Sequence, residues 1–179
     1  MKFIFEKENF IDLDICKKLI KYQKDNCPKN EPKGFWTNRI VTDYDIKIKK
    51  LIEPIHNKIL KLIKKFYKEK NIYLEFTNLV YWGPNMELTA HADNIWIDRP
   101  NDPHYTPHRD FSSLLYLNDN FKGGETYFPK LDHIIKPKTG KLTFFPSGST
   151  HIHGVKKIIE GNRFTLATWF TKDKRYSIQ

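Results

Sequence analysis

A chain of 179 residues, 39% hydrophobic and 15% aromatic, is long enough to bury one core of ordinary size and excludes wholesale disorder. Lys and Arg number 31 against 21 Asp and Glu, and the net charge of +10 raises nucleic acid, an acidic substrate or a membrane surface as partners without choosing among them. Cys16 and Cys27 are too few for a disulfide framework and read as reduced thiols of an intracellular protein. Glu6, Lys7 and Glu8 stand where a secretory leader needs an apolar run. No stretch of about 18 uncharged apolar residues occurs, so the expected location is cytoplasmic, with no membrane partner.

In chain order, residues 12–25 predict a helix, with Asp12 or Asp14 as cap and Ile15, Leu19 and Tyr22 at helical spacing. Pro28, Pro32 and Gly34 predict a loop over 26–38. Residues 43–70 give a longer helix, with an apolar stripe that includes Ile48, Ile52, Ile55, Ile59 and Ile63 and lysines on the other face. Pro54 should kink it or start a second helix. After Lys70 the periodicity changes. Residues 72–82, 112–117, 125–128, 141–145 and 163–171 are rich in β-formers and separated by Gly and Pro. This pattern predicts a sandwich, barrel or jelly roll, with the longest non-strand stretch at 94–111. The expected plan is one α+β domain over 1–179, with helical support in 1–70 and a β-rich core in 71–179.

Six of the seven histidines follow residue 90, and two head an H-x-D pattern: His91-Ala92-Asp93 and His108-Arg109-Asp110. Residues i and i+2 of a strand face one side, so H-x-D can aim an imidazole and a carboxylate at one point. A distant third ligand would complete a triad of two His and one carboxylate, the donor set of non-haem Fe(II) sites. His151 and His153 are both candidates. Arg163 opens the aromatic strand 163–171, where a buried cation requires an anion and a guanidinium fork matches a carboxylate. An internal salt bridge would satisfy it as well.

Taken together, residues 78–170 resemble the iron- and 2-oxoglutarate-dependent dioxygenases of the prolyl-hydroxylase group, closest to the leprecan-like prolyl 3-hydroxylase branch. The matching pieces are Tyr81-Trp82-Gly83-Pro84, His91-Ala92-Asp93-Asn94, Leu115-Tyr116-Leu117-Asn118-Asp119 with Gly123-Gly124-Glu125-Thr126, Lys136-Pro137-Lys138-Thr139-Gly140, and His153-Gly154-Val155 with Gly161-Asn162-Arg163. The resemblance implies a double-stranded β-helix (jelly-roll) core with supporting N-terminal helices. It implies His91, Asp93 and His153 as metal ligands and leaves His108 as an imitation and His151 beside the site. Arg163 and Tyr116 would bind the distal carboxylate of 2-oxoglutarate, with Tyr81 lining its pocket and Trp169 as a further wall. The implied cofactors are Fe(II), 2-oxoglutarate and O₂, with ascorbate as reductant. The implied reaction couples decarboxylation to succinate with C–H hydroxylation, on prolyl residues of a peptide or protein.

Hydroxylation of a free amino acid or small metabolite stays open, as does an inactive jelly-roll binding module. The 94–111 loop, with Trp96, Arg99 and Tyr105, is either a lid or an inert loop. Nucleic acid is not the expected partner. Residues 47–70 hold nine basic and two acidic side chains, whereas 71–170 hold ten of each, so the excess charge belongs to a helix face.

Overall fold

A computed structural model describes residues 3–27, 34–42 and 44–178. Pro28, Pro32 and Asp43, where the sequence predicts a break and a helix start, lie outside them. The elements are β1 (Phe5–Lys7), α1 (Leu13–Asn26), β2 (Ile40–Val41), α2 (Ile46–Tyr67), β3 (Tyr73–Trp82), β4 (Leu88–His91), β5 (Phe111–Tyr116), β6 (Lys122–Gly123), β7 (Thr126–Phe128), β8 (His133–Ile135), β9 (Leu142–Pro146), β10 (His153–Val155), β11 (Ile158–Glu160) and β12 (Arg163–Thr171).

Helix α2 forms where its sequence allows one wet face and one dry face. Ile48, Ile52, Ile55, Ile59 and Ile63 recur at three- and four-residue steps and are all buried. Each such burial contributes about 1.5–3 kcal/mol. Asp45 caps the start, its Oδ1 accepting from the N–H groups of Lys47 at 2.8 Å and Ile48 at 3.0 Å. The helix runs through Pro54 as one element, contrary to the expected start of a second helix. Pro54 and Lys50, whose carbonyl loses its partner, both lie on the exposed face, where water can satisfy that oxygen. Lys68, at φ 55°, ends the helix in the left-handed region.

The strands form a jelly roll of two main sheets. The larger sheet has the order β1-β9-β5-β12-β3-β2, and the smaller β4-β10-β7-β8; β11 pairs with β6. Residues 1–70 are thus more than helical support, because β1 and β2 are the two edge strands of the larger sheet. Side-chain alternation divides that sheet into two faces. Leu79, Leu115, Phe144, Phe164, Leu166 and Phe170 pack under α1 and α2. Val80, Trp82, Leu114, Ala167 and Trp169 gather on the other face, where Leu88 and Val155 of the smaller sheet meet them. The space between the sheets is the cavity described below.

One polar pin crosses the helix–sheet interface. The Nε2 of His56 lies 2.9 Å from Thr77 Oγ1, which donates in turn to Thr168 Oγ1 at 3.3 Å. Burial pushes the His56 pKa from 6.5 down to about 4. Between those values the unfolded chain binds the proton and the folded chain does not. Stability is therefore lost as pH falls from about 6.5 towards 4, by up to about 3 kcal/mol from this residue. Urea unfolding midpoints of the wild type and His56→Gln across this range should converge at low pH, and parallel pH profiles would contradict the assignment.

Candidate metal centre

His91 closes β4 and His153 opens β10, and the two are direct antiparallel partners, which brings their rings to 4.7 Å between centroids. Asp93 lies just past β4 rather than on it, its backbone N–H donating to the carbonyl of Ser147 at 2.9 Å. One ligand atom from each of His91, Asp93 and His153 falls within 4.8 Å of the other two. Among the described residues this is the sole such cluster of His, Cys, Asp and Glu.

The donor atoms are prepared for a cation. His91 Nδ1 lies 3.0 Å from the carbonyl of Thr89, and His153 Nδ1 lies 3.0 Å from that of His151. A carbonyl only accepts, so each Nδ1 carries the proton and each Nε2 keeps its lone pair in the neutral ring. Those Nε2 atoms are 3.5 Å and 3.6 Å from the two oxygens of Asp93. Burial by itself would raise the Asp93 pKa, but the two imidazoles and the Ser112 hydroxyl outweigh it and hold the carboxyl ionised. Burial pushes His153 down to about 4, so its ring is neutral at physiological pH. At His91, burial lowers the pKa, but the Asp93 carboxylate, 3.5 Å from Nε2, favours the protonated ring enough to raise it. A buried carboxylate facing two imidazoles, with no Lys or Arg in ion-pair range among the described residues, is a donor set that a divalent metal fits.

Small hydroxyls brace the cluster. Ser112 Oγ donates to Asp93 Oδ2 at 2.5 Å and lies 2.7 Å from Ser147 Oγ. Partners of this kind fix a ligand's orientation, and losing one costs about 10–100-fold in metal affinity or activity. Ser112→Ala should therefore bind Fe(II) or Mn(II) within that range of weakening, as measured by calorimetry. Unchanged affinity would show that Asp93 needs no such brace.

The cluster opens into a cavity of about 670 Å³ between the sheets. Arg163 lines it and is only 1% exposed. No carboxylate pairs with its guanidinium among the described residues, its Nε lacks a hydrogen-bond partner, and Nη2 makes only a 3.4 Å contact with Thr126 Oγ1. The internal salt bridge left open by the sequence is therefore absent among these residues. Burial lowers the Arg163 pKa, yet an arginine stays charged. A small dianion reaching this end of the cavity would supply the missing partner, so the residues fit a 2-oxo dicarboxylate as well as a metal. Gly124, at φ 69°, makes the corner beside the Arg163 side chain. A Cβ on Gly124 would meet the Arg163 Cδ at 3.2 Å.

The structure brings Tyr116 to Arg163, the guanidinium lying 5.2 Å over its ring and the phenol 2.7 Å from Thr126 Oγ1. It does not bring Tyr81 to the cavity. Tyr81 packs on the helix face of β3 and hydrogen-bonds Asn162 Oδ1 at 3.1 Å. Its neighbour Trp82 has the opposite parity, lines the cavity and lies 5.8 Å under the Arg163 guanidinium. His151, in a buried turn, is outside the ligand cluster. His108 is likewise elsewhere, bonded to Glu75 at 3.1 Å and stacked on Tyr176 at 3.9 Å. Trp169 does line the cavity, with the Arg109 guanidinium 4.1 Å over its ring.

The 94–111 loop forms a wall of the same cavity through Trp96, Ile97, Asp98, His104, Tyr105 and Arg109. Asn94 Nδ2 donates to the carbonyl of Arg109 at 2.7 Å, tying the two ends of the loop together, and Thr106 Oγ1 donates to the carbonyl of Asp93 at 2.8 Å, tying the loop to the cluster. Ser112 and His104 carry no motif, and only their distances expose them, while Thr126 ends the Gly123–Thr126 motif without a role that the motif assigns.

Curated relatives and solved structures point the same way. The chain is 34% identical over 152 residues to prolyl 3-hydroxylase 2 of Rattus norvegicus, covering 73% of this chain and 22% of that protein. It is 45% identical over 99 residues to prolyl 3-hydroxylase 1 of Gallus gallus, covering 49% of this chain and 14% of that one. The chain thus spans about a fifth of the length of the curated relatives it matches. Its fold resembles the viral collagen prolyl hydroxylase of Paramecium Bursaria Chlorella virus-1 in its 2OG complex, with TM-score 0.75, 19% identity and 94% and 96% of the two chains covered. A Pseudomonas putida prolyl-4-hydroxylase gives 0.72 at 20% identity, over 97% and 94%. The family model of the 2OG-Fe(II) oxygenase superfamily matches residues 76–171, more than half of the sequence, and the chain belongs to that family.

Proposed function

We propose that the chain is an Fe(II)- and 2-oxoglutarate-dependent dioxygenase that hydroxylates prolyl residues in a peptide or protein. The observation that carries this reading is the pairing of two features in one cavity: a His91–Asp93–His153 cluster and a buried Arg163 with no carboxylate partner among the described residues. In this reading the Nε2 atoms of His91 and His153 and the Asp93 carboxylate hold the metal. Arg163 binds the distal carboxylate of 2-oxoglutarate, with Tyr116 and Thr126 beside it. The chemistry supplied by the bound group is oxidation of a C–H bond by O₂, with 2-oxoglutarate leaving as succinate and CO₂.

The protein's part is binding, orientation and exclusion of water. Arg163 and the cluster fix the two ends of the cosubstrate, leaving the cavity between Trp169 and the 94–111 loop for the substrate. That loop serves as a wall over the reacting carbon. Ascorbate serves as reductant, the compartment is the cytoplasm, and residues 1–179 act as one unit whose basic α2 face is solvated. No helix among the described residues is long and apolar enough to cross a membrane. The prolyl preference is supported by the 34% identity to a prolyl 3-hydroxylase. Mass spectrometry on a panel of prolyl peptides, free proline and other amino acids should find one added oxygen on a peptide prolyl ring. Oxygen found only on a free amino acid would overturn the peptide assignment.

A further inference from the structure

One imidazole in the cavity belongs neither to the cluster nor to the Arg163 end. His104 lines the cavity from the 94–111 loop. Its Nδ1 accepts a hydrogen bond from the backbone N–H of Thr106 at 3.1 Å. That bond requires a lone pair on Nδ1, so the proton of the neutral ring sits on Nε2. Burial lowers the His104 pKa, with Asp93 opposing in part, which keeps the ring neutral at physiological pH.

The ring is also held in place. It packs against Trp96 at 4.5 Å, and the Trp96 indole N–H donates to the carbonyl of Pro103 at 3.1 Å. Thr106, which anchors His104, is itself tied by its hydroxyl to the carbonyl of Asp93 at 2.8 Å. The imidazole is thus positioned relative to the backbone of the cluster. Among the described residues its Nε2–H has no hydrogen-bond partner.

We propose that His104 is a substrate-positioning residue whose Nε2–H donates to a backbone carbonyl oxygen next to the residue being oxidised. The inference rests on the peptide-hydroxylase reading above. A fixed, uncharged donor selects an acceptor, and a carboxylate would be drawn to Arg163 instead. A prolyl residue has no backbone N–H, so carbonyl oxygens are the backbone groups by which its position can be read. One such bond, referred to a protein already holding metal and 2-oxoglutarate, sets where the target C–H bond lies over the cluster.

The test compares His104→Phe, which keeps a ring against Trp96 and removes the donor, with His104→Gln, which keeps an N–H near the same place. Peptide KM and kcat, the ratio of succinate to hydroxylated peptide, and peptide affinity for Mn(II)-loaded, 2-oxoglutarate-bound protein are measured for each. His104→Phe should raise peptide KM and Kd about tenfold and release succinate in excess of product. His104→Gln should recover most of both, and metal and 2-oxoglutarate affinities should not change. Wild-type KM and coupling in His104→Phe would overturn the proposal while leaving the proposed function intact. Equal impairment in both variants would reduce His104 to packing and overturn it too. A wild-type protein that neither binds nor oxidises any peptide would remove the proposed function and this inference together.

Discussion

His153→Ala is expected to abolish metal binding and turnover, whereas His151→Ala keeps the metal. The two side chains are two residues apart and both buried, so sequence distance and burial do not separate them. Geometry does. The Nε2 of His153 lies 3.6 Å from Asp93 and its other nitrogen is bonded to a carbonyl, while His151 is outside the ligand cluster. Removing one of three ligands should weaken Fe(II) or Mn(II) binding by more than about 100-fold, since loss of an outer partner alone costs 10–100-fold. Calorimetry and electron paramagnetic resonance with Mn(II) check this directly. Retention of metal by His153→Ala and its loss from His151→Ala would reverse the ligand assignment.

Arg163→Ala should raise the 2-oxoglutarate KM by about 100-fold or more while Fe(II) still binds. A buried guanidinium with no carboxylate partner among the described residues has desolvation already imposed by the fold, so its pairing with a ligand carboxylate is charge-assisted and poorly screened. Charge-assisted bonds contribute about 1.5–3 kcal/mol each, and two together correspond to at least about two decades in affinity. Arg163→Lys should recover part of the loss, because a lysine restores charge without the planar fork. An unchanged 2-oxoglutarate requirement would remove Arg163 from the cosubstrate site.

Much of the fold was legible where the chain is long and repetitive. The stripe of isoleucines defines α2, and β-formers define β3, β5, β9 and β12 to within a residue or two. Most short strands were not legible, β7 within the predicted 125–128 being the exception. β4 and β10 have four and three residues, too few for a period to show, yet they carry His91 and His153. Gly154, in the middle of β10, lowers the β-signal further, but its place is steric. A Cβ there would come within 2.6 Å of the Leu88 carbonyl in the partner strand.

The site shows the same division. The family resemblance picked out three side chains that the fold clusters, and Arg163 at the end of their cavity. Tyr81, which the resemblance implied for the pocket, lies on the helix face instead, because a strand turns successive residues to opposite faces and a one-residue step exchanges inside for outside. Trp82, one position on, occupies the wall where Tyr81 was expected. Ser112 and His104 were invisible for another reason. A hydroxyl or a lone imidazole has no pattern of its own, and it acquires a role only through what the fold sets within 3 Å of it.

In the proposed function, metal held by His91, Asp93 and His153 turns over 2-oxoglutarate in this cavity. The most direct test is succinate formation by purified protein supplied with Fe(II), O₂, ascorbate and 2-oxoglutarate, with and without a prolyl peptide. Slow succinate release is expected from the wild type alone, faster release with peptide, and none from Asp93→Ala at equal protein and iron. Succinate formed equally by Asp93→Ala, or none from the wild type under any condition, would contradict the proposed function.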